Sequence, residues 1–243
     1  MRSLMKYIYG PVKSRRLGLS LGITVTPCKV CSFNCVYCQL GRTTLKTLEI
    51  KEYIKAEEII RELNIWLKNN PQAAQASNYI TFSGAGEPTL NSKIGQLIAE
   101  IKKIMPVPIA VITNASLLNN PDVRKAVGLA DLIVPSLDAA TLEVFARINR
   151  PHESLRLDEI VRGLISLRKE FSGQIWLEVM LVRGINDDLR QIKKLREIIE
   201  KINPQKIQLN SPVRSTAEPN CLAVDKSKLE KIKEILGEKC EII

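Results

Sequence analysis

The chain has 243 residues, 45% of them hydrophobic, enough to bury a full core in one domain or two small ones. No apolar stretch approaches the ~20 residues of a membrane span, and Met1-Arg2-Ser3-Leu4-Met5-Lys6 lacks the apolar run of a secretory signal, so no membrane partner is expected. Lys and Arg outnumber Asp and Glu by 36 to 26, a net charge of +10 that suits nucleic acid, although runs such as residues 226–234 mix Lys with Glu and read as ordinary solvated helix faces.

Residues 19–26 read as the first strand, ending in Pro27 and a cysteine-rich loop. Residues 57–68 have helical spacing, with Ile59, Ile60, Leu63 and Leu67 on one face. The next strand, 79–82, runs into Ser83-Gly84-Ala85-Gly86-Glu87-Pro88 and a helix over 93–104. Strand 109–114 is followed by a short helix after Asn120-Pro121-Asp122, where Pro suits the first turn. Strand 132–135 ends at Ser136-Leu137-Asp138, and helical sections follow over 141–148 and 155–169. Strand 175–182, helix 188–202, strand 206–209 and helix 225–236 complete the chain. Six strand–helix units with continuously apolar strands predict an α/β fold, a parallel sheet covered by helices. No linker or repeat interrupts the pattern, so residues 1–243 are expected to form a single domain.

The chemistry begins at Cys31-Ser32-Phe33-Asn34-Cys35-Val36-Tyr37-Cys38, a C-x3-C-x2-C spacing. Three thiolates on one short loop can hold three irons of a cubane [4Fe–4S] cluster and leave the fourth iron open. Iron–sulfur proteins that only move electrons supply four cysteines; an open position is the mark of a catalytic metal. A disulfide framework does not suit a chain of this length with four of its six cysteines between Cys28 and Cys38. Cys28 and Cys31 add a second C-x2-C, as in a zinc site, but zinc ribbons separate their pairs by roughly 15–20 residues. Cys28 is then spare, and Cys221 and Cys240 read as ordinary thiols. Clustered free thiols imply a reducing cytoplasm.

Tyr9-Gly10-Pro11-Val12, Ser14-Arg15-Arg16-Leu17-Gly18 and the run from Cys31 through Gln39-Leu40-Gly41 together resemble the radical S-adenosylmethionine (SAM) superfamily, in its wyosine-synthase-related branch of tRNA-modifying Fe–S oxidoreductases. The resemblance implies a partial (β/α)6 barrel, a curved parallel sheet with outer helices. It implies a [4Fe–4S] cluster on Cys31, Cys35 and Cys38, with SAM on the open iron. A one-electron reductant such as ferredoxin or flavodoxin would drive cleavage of SAM to methionine and a 5′-deoxyadenosyl radical, which abstracts hydrogen from a substrate. Wyosine synthases carry further cysteines upstream for a second cluster, and this chain has none before Cys28.

In such sheets ligands bind beyond the carboxyl ends of the strands. Ser83 and Gly84-Ala85-Gly86-Glu87-Pro88 resemble the G-G-E-P motif, implied to bind the SAM amino group; a plain strand–helix turn is the alternative. Ser136 and Asp138 resemble a polar pair near the SAM ribose, and Asp138 reads equally as a helix N-cap. Asn114 either binds ligand or favours a turn. Glu178 and Met180 lie in the fifth strand, Glu178 facing the barrel mouth or the covering helices. Tyr37, by resemblance, presents its backbone near the adenine and shields the cluster. Asn210 and Arg214 flank Pro212 as candidate substrate residues, Arg offering a fork for carboxylate or phosphate. The lone His152 reads as a helix-entry or lid residue. Arg15, Arg16, Arg147, Arg150 and Arg214 fall outside the mixed-charge helices and are expected to ring the mouth and hold the phosphates of a tRNA. A small metabolite, a protein side chain, or a non-enzymatic metal-stabilised RNA-binding role are the alternatives.

Overall fold

The computed structural model describes residues 5–243. The six expected strands form, as β2 (Gly18–Ile23), β5 (Tyr79–Phe82), β6 (Ile109–Thr113), β7 (Leu132–Pro135), β8 (Gln174–Met180) and β9 (Lys206–Asn210). They lie side by side in chain order and every neighbouring pair is parallel. Parallel neighbours need crossovers, and helices supply them. These are α1 (Ala56–Asn69), α2 (Pro71–Ala76), α3 (Ile94–Ile104), α4 (Pro121–Val127), α5 (Leu142–Ile148), α6 (Leu157–Glu170), α7 (Leu189–Ile202) and α8 (Lys226–Leu236). None of the described helices is long and apolar enough to cross a membrane.

Two strands extend the sheet beyond expectation. β1 (Ile8–Ser14) pairs antiparallel with β2, and β10 (Cys240–Ile242) pairs parallel with β9. A proline argues against a strand, except on an edge or at a bulge. β1 is an edge, and its register slips between Tyr9 and Val12, where Gly10-Pro11 sits. A separate pair, β3 (Val30–Cys31) and β4 (Leu45–Lys46), frames the cysteine loop.

Strand periodicity positions the site. Successive side chains alternate between faces. Ile109, Val111 and Ile133 join the large core under the helices with Leu63, Leu97, Leu164 and Leu195, while Ala110, Leu132 and Val134 pack on the opposite face with Leu17, Tyr79 and Trp176. Counting up that inner face in steps of two reaches Ser83, Asn114, Ser136, Glu178 with Met180, and Asn210 at the carboxyl ends. The two edges of the open sheet approach each other there. Arg15, just after β1, donates from Nη1 to the Ile243 backbone oxygen at 2.9 Å. The parallel sheet therefore curls towards a barrel whose mouth these polar residues line.

Candidate active site

The cysteine loop is strapped to the end of α5. The Val36 amide donates to the Ile148 carbonyl at 2.9 Å and the Asn34 amide to that of Asn149 at 3.0 Å. Asn34 Oδ1 accepts from the Thr43 amide at 2.8 Å, which closes the loop on itself. Phe33 meets Phe145 edge to face, centroids 5.4 Å apart. Cys31, Cys35 and Cys38 are half-buried, Cys28 is exposed, and Cys221 and Cys240 are buried apart from them.

Each of the three loop sulfurs has a nitrogen donor from outside the C-x3-C-x2-C run. Asn114 Nδ2 lies 3.5 Å from Cys31 Sγ, Asn149 Nδ2 3.5 Å from Cys35 Sγ, and Lys29 Nζ 3.0 Å from Cys38 Sγ. Burial pushes the Cys31 thiol up to about 11, with the Glu87 charge adding to it. Burial also raises Cys35, followed by the charges of Cys31 and Asp138. Iron must therefore displace protons to bind here. A cubane takes one thiolate per iron, so its ligands do not converge on a single point; among the described residues no group of three or more Cys, His, Asp or Glu does so. The decisive fit is Lys29. It is 5% exposed, and among the described residues no carboxylate lies within 4.0 Å of its ammonium. A buried charge needs a counter-charge, which thiolates on a cluster at this loop would supply.

The glycine loop is pressed against this loop. A Cβ on Gly86 would stand 2.0 Å from the Val30 carbonyl oxygen, so only glycine fits. The Lys29 amide donates to the Ala85 carbonyl at 2.6 Å. Gly84 has φ of +100° and is exposed, and a Cβ there would meet Thr24 Oγ1 at 2.7 Å. Glu87 has a bracing role that the sequence reading did not include. Its carboxylate is 2% exposed and fully engaged. Oε1 accepts from the Thr89 amide and hydroxyl and the Thr113 hydroxyl, and Oε2 from the Asn114 amide. It braces the turn.

Of the two readings of Asp138, the helix cap does not hold. It caps no helix, because Thr141 caps α5. Its carboxylate, 3% exposed, accepts from Tyr37 Oη at 2.5 Å, Asn149 Nδ2 at 2.7 Å and the Met180 amide at 2.8 Å. Burial pushes its pKa up to about 6, against those three bonds. Asp138 thus holds Tyr37 and Asn149 in place beside Cys35.

A cavity of about 560 Å³ opens at the mouth. Tyr37, Cys38, Gly84, Glu178, Met180, Asn210 and Arg214 line it, together with Tyr9, Lys13, Arg15 and Arg16 from the β1–β2 hairpin. Glu178 thus faces the mouth. It pairs with Arg16 at 3.0 Å, and Ser136 and Asn210 donate to it at 3.3 and 3.2 Å. Ser83 bonds the Tyr9 hydroxyl at 2.6 Å, and the Tyr9 ring lies over Gly22, where a Cβ would be 2.0 Å from it. Asn114 and Asp138 line a separate small crevice behind the cysteine loop. The expected arginine ring is only partly formed. Arg150 pairs with Glu218 at 2.5 Å and Arg147 donates to the Gly184 carbonyl, neither lining the cavity. His152 sits at the helix-entry turn, its amide donating to the Ser32 carbonyl at 2.8 Å.

Sequence reasoning missed Tyr9, Lys29 and Asn149 as site residues. Lys29 carried a signal, its place inside the cysteine loop. Asn149 carried none, being 114 residues from the cysteine it reaches.

The family described as the radical SAM superfamily matches residues 25–196. The chain belongs to the radical SAM superfamily. Its members use a [4Fe–4S] cluster and SAM, and the chain is an enzyme of that class. A UPF0026 protein of Methanocaldococcus jannaschii is 39% identical over 241 residues, 98% of this chain and 73% of that protein. A Brachyspira hyodysenteriae protein named GTPase Obg is 41% identical over 237 residues, but this chain spans only 34% of its length. This chain contains no G-x4-G-K-[ST] phosphate loop. Among solved structures, TYW1 with a lysine-pyruvate adduct bound superposes on 89% of this chain and 72% of its own, with a TM-score of 0.68 at 21% identity, a likeness of fold.

Proposed function

We propose that this radical SAM enzyme acts on a base in tRNA, with Cys31, Cys35 and Cys38 as cluster ligands and SAM lying along the strand ends from Gly84 towards Ser136. When bound, cluster and SAM, given an electron from a reductant such as ferredoxin or flavodoxin, would supply the radical chemistry that takes hydrogen from the substrate. The chain's own residues bind, orient and exclude. The exposed peptide groups at Gly84, held by Thr24 and Tyr9 behind them, offer hydrogen bonds to the SAM amino group. Tyr37, fixed by Asp138, and Met180, 8% exposed, present apolar surface beside Cys38 and keep water from the reacting atoms.

Charge carries the tRNA reading. Lys13, Arg15, Arg16 and Arg214 line the cavity against one carboxylate, Glu178, which Arg16 already neutralises. Arg16 Nη1 is buried beside it with no hydrogen-bond partner among the described residues. Cations at the rim suit phosphates while a base enters the cavity, at an unstacking cost of a few kcal/mol for a paired base. The cavity's volume of about 560 Å³ also suits a small acid, the second reading.

Binding decides between them. Unmodified tRNA should bind more tightly than heparin at low salt, with affinity falling by a slope of roughly one per phosphate contact. Replacing Lys13, Arg15 and Arg214 by alanine together should flatten that slope. tRNA binding no tighter than heparin, or absent at low salt, would move the substrate to a small acid.

A further inference from the structure

We infer that Lys29 is a positioning residue that sets the reduction potential of the cluster through the Cys38 thiolate; this rests on the reading of Cys31, Cys35 and Cys38 as its ligands. The sulfurs are not served alike. Asn114 and Asn149 are neutral, stand 3.5 Å from their sulfurs, and each has a shorter bond elsewhere, to Ser32 Oγ at 2.8 Å and Asp138 Oδ2 at 2.7 Å. Lys29 is charged and 3.0 Å from Cys38 Sγ, and that is the one hydrogen bond its ammonium makes among the described residues. Charge-assisted hydrogen bonds are shorter and stronger than neutral ones.

The backbone is built to hold it there. Lys29 has φ of +61°, a region that side-chain-bearing residues rarely occupy and that persists only where the surroundings fix it. They do: its amide donates to the Ala85 carbonyl at 2.6 Å, and its carbonyl accepts from the Thr44 and Leu45 amides at 3.1 and 3.2 Å. The same bond joins Lys29 to the glycine loop, so the lysine, the cluster loop and the proposed SAM loop are one rigid unit.

The direction of the effect follows from charge balance. An oxidised cubane with three thiolates carries one net negative charge. The single electron delivered by the reductant adds a second and breaks no bond to the protein. A fixed ammonium stabilises the more negative state more, and in a buried site the attraction is weakly screened. Hydrogen bonds and charge near the sulfurs are established levers on such potentials. Lys29 therefore makes the cluster easier to reduce.

The test is the midpoint potential of the anaerobically reconstituted full chain, without and with SAM, beside iron per chain. Lys29→Met should keep its iron and shift the reduction equilibrium at least tenfold towards the oxidised form, about 59 mV for one electron. Lys29→Arg should stay near the parent. Lys29→Gln, a neutral donor, should fall with Met. Lys46→Met is the control, an exposed lysine of the same loop region bonded to the Pro151 carbonyl, and should leave the potential unchanged. An unchanged potential in Lys29→Met with iron retained overturns the inference. So does a change confined to SAM affinity, which would give Lys29 to the SAM carboxylate, and so does loss of iron from every neutral variant, which would assign it to cluster retention. Failure of the parent chain to hold iron would sink the cluster reading itself and is seen before any variant is compared.

Discussion

The Arg16–Glu178 pair ties the β1–β2 turn to β8 across the mouth, and breaking it should be costly in a defined way. The two side chains are 18% and 10% exposed, so the pair is largely desolvated. Removing one partner of a buried pair costs about 3–5 kcal/mol, because the other charge is left uncompensated. Two features reduce that here. Glu178 keeps the Ser136 and Asn210 donors at 3.3 and 3.2 Å, and Arg16 Nη1 is already unsatisfied. Arg16→Met should therefore destabilise the apoprotein by about 2–3 kcal/mol. Glu178→Ala, which strands the guanidinium with no acceptor, should cost more. At about 2–4 °C per kcal/mol for a chain of this size, Arg16→Met should lower Tm by roughly 4–12 °C. The double variant Arg16→Met/Glu178→Leu should cost clearly less than the sum of Arg16→Met and Glu178→Leu, since neither charge is left alone. Urea midpoints of the parent and the four variants measure this. Additive costs, or an Arg16→Met chain as stable as the parent, would mean that the pair is solvated and the mouth open to water.

Three further outcomes are expected. Alanine at Cys31, Cys35 or Cys38 should abolish stable iron loading after reconstitution, while alanine at Cys28, Cys221 or Cys240 should leave iron per chain unchanged; equal loss from Cys28→Ala would make the site four-cysteine. Gly86→Ala forces a Cβ onto the Val30 carbonyl oxygen at 2.0 Å and should displace the cysteine loop and lose iron, whereas Gly41→Ala, with nothing within 4 Å but φ of +83°, should cost about 1–2 kcal/mol and keep it. Burial raises the Asp138 carboxyl from 3.8 to about 6, so its protonated form favours the folded state below pH 3.8 and that contribution is lost as pH rises through about 6. The apoprotein stability difference between parent and Asp138→Asn should then shift against the parent by about 2 kcal/mol between roughly pH 4 and pH 7; a difference flat in pH would show that the carboxylate is ionised throughout.

What was legible in the sequence was local. The six inner strands are short apolar runs bounded by turn residues, and the cysteine spacing lies within eight residues, so both survive without knowledge of the fold. β1 was not legible because Gly10 and Pro11 break the strand pattern, and only the sheet's edge and a bulge accommodate them. Ser136 was placed after its strand and Glu178 within its own, but which groups they face is set by the register of β7 on β8, where the two pair across an isolated bridge. Asn149 and Tyr9 reach the site from the end of α5 and the hairpin, and no spacing rule in the chain records those distances.

The acids show why that gap matters for function. Glu87, Asp138 and Glu178 all follow or lie in the strands that frame the site, and in the sequence they look like three negative groups offered to ligands. Glu87 and Asp138 are withdrawn instead into the loop braces, each with at least three donors on its carboxylate. Glu178 is neutralised by Arg16. Among the described residues no Asp or Glu stands within 4.0 Å of Lys13, Arg15 or Arg214. The mouth is therefore electropositive because its carboxylates are engaged internally as much as because its cations are many. A negative ligand entering there meets cations whose internal acceptors are neutral or backbone oxygens, those of Asn210, Gln39 and Ile243, with no side-chain carboxylate to displace at Lys13, Arg15 or Arg214, and the Asp138 bonds hold Tyr37 and Asn149 in place beside Cys35.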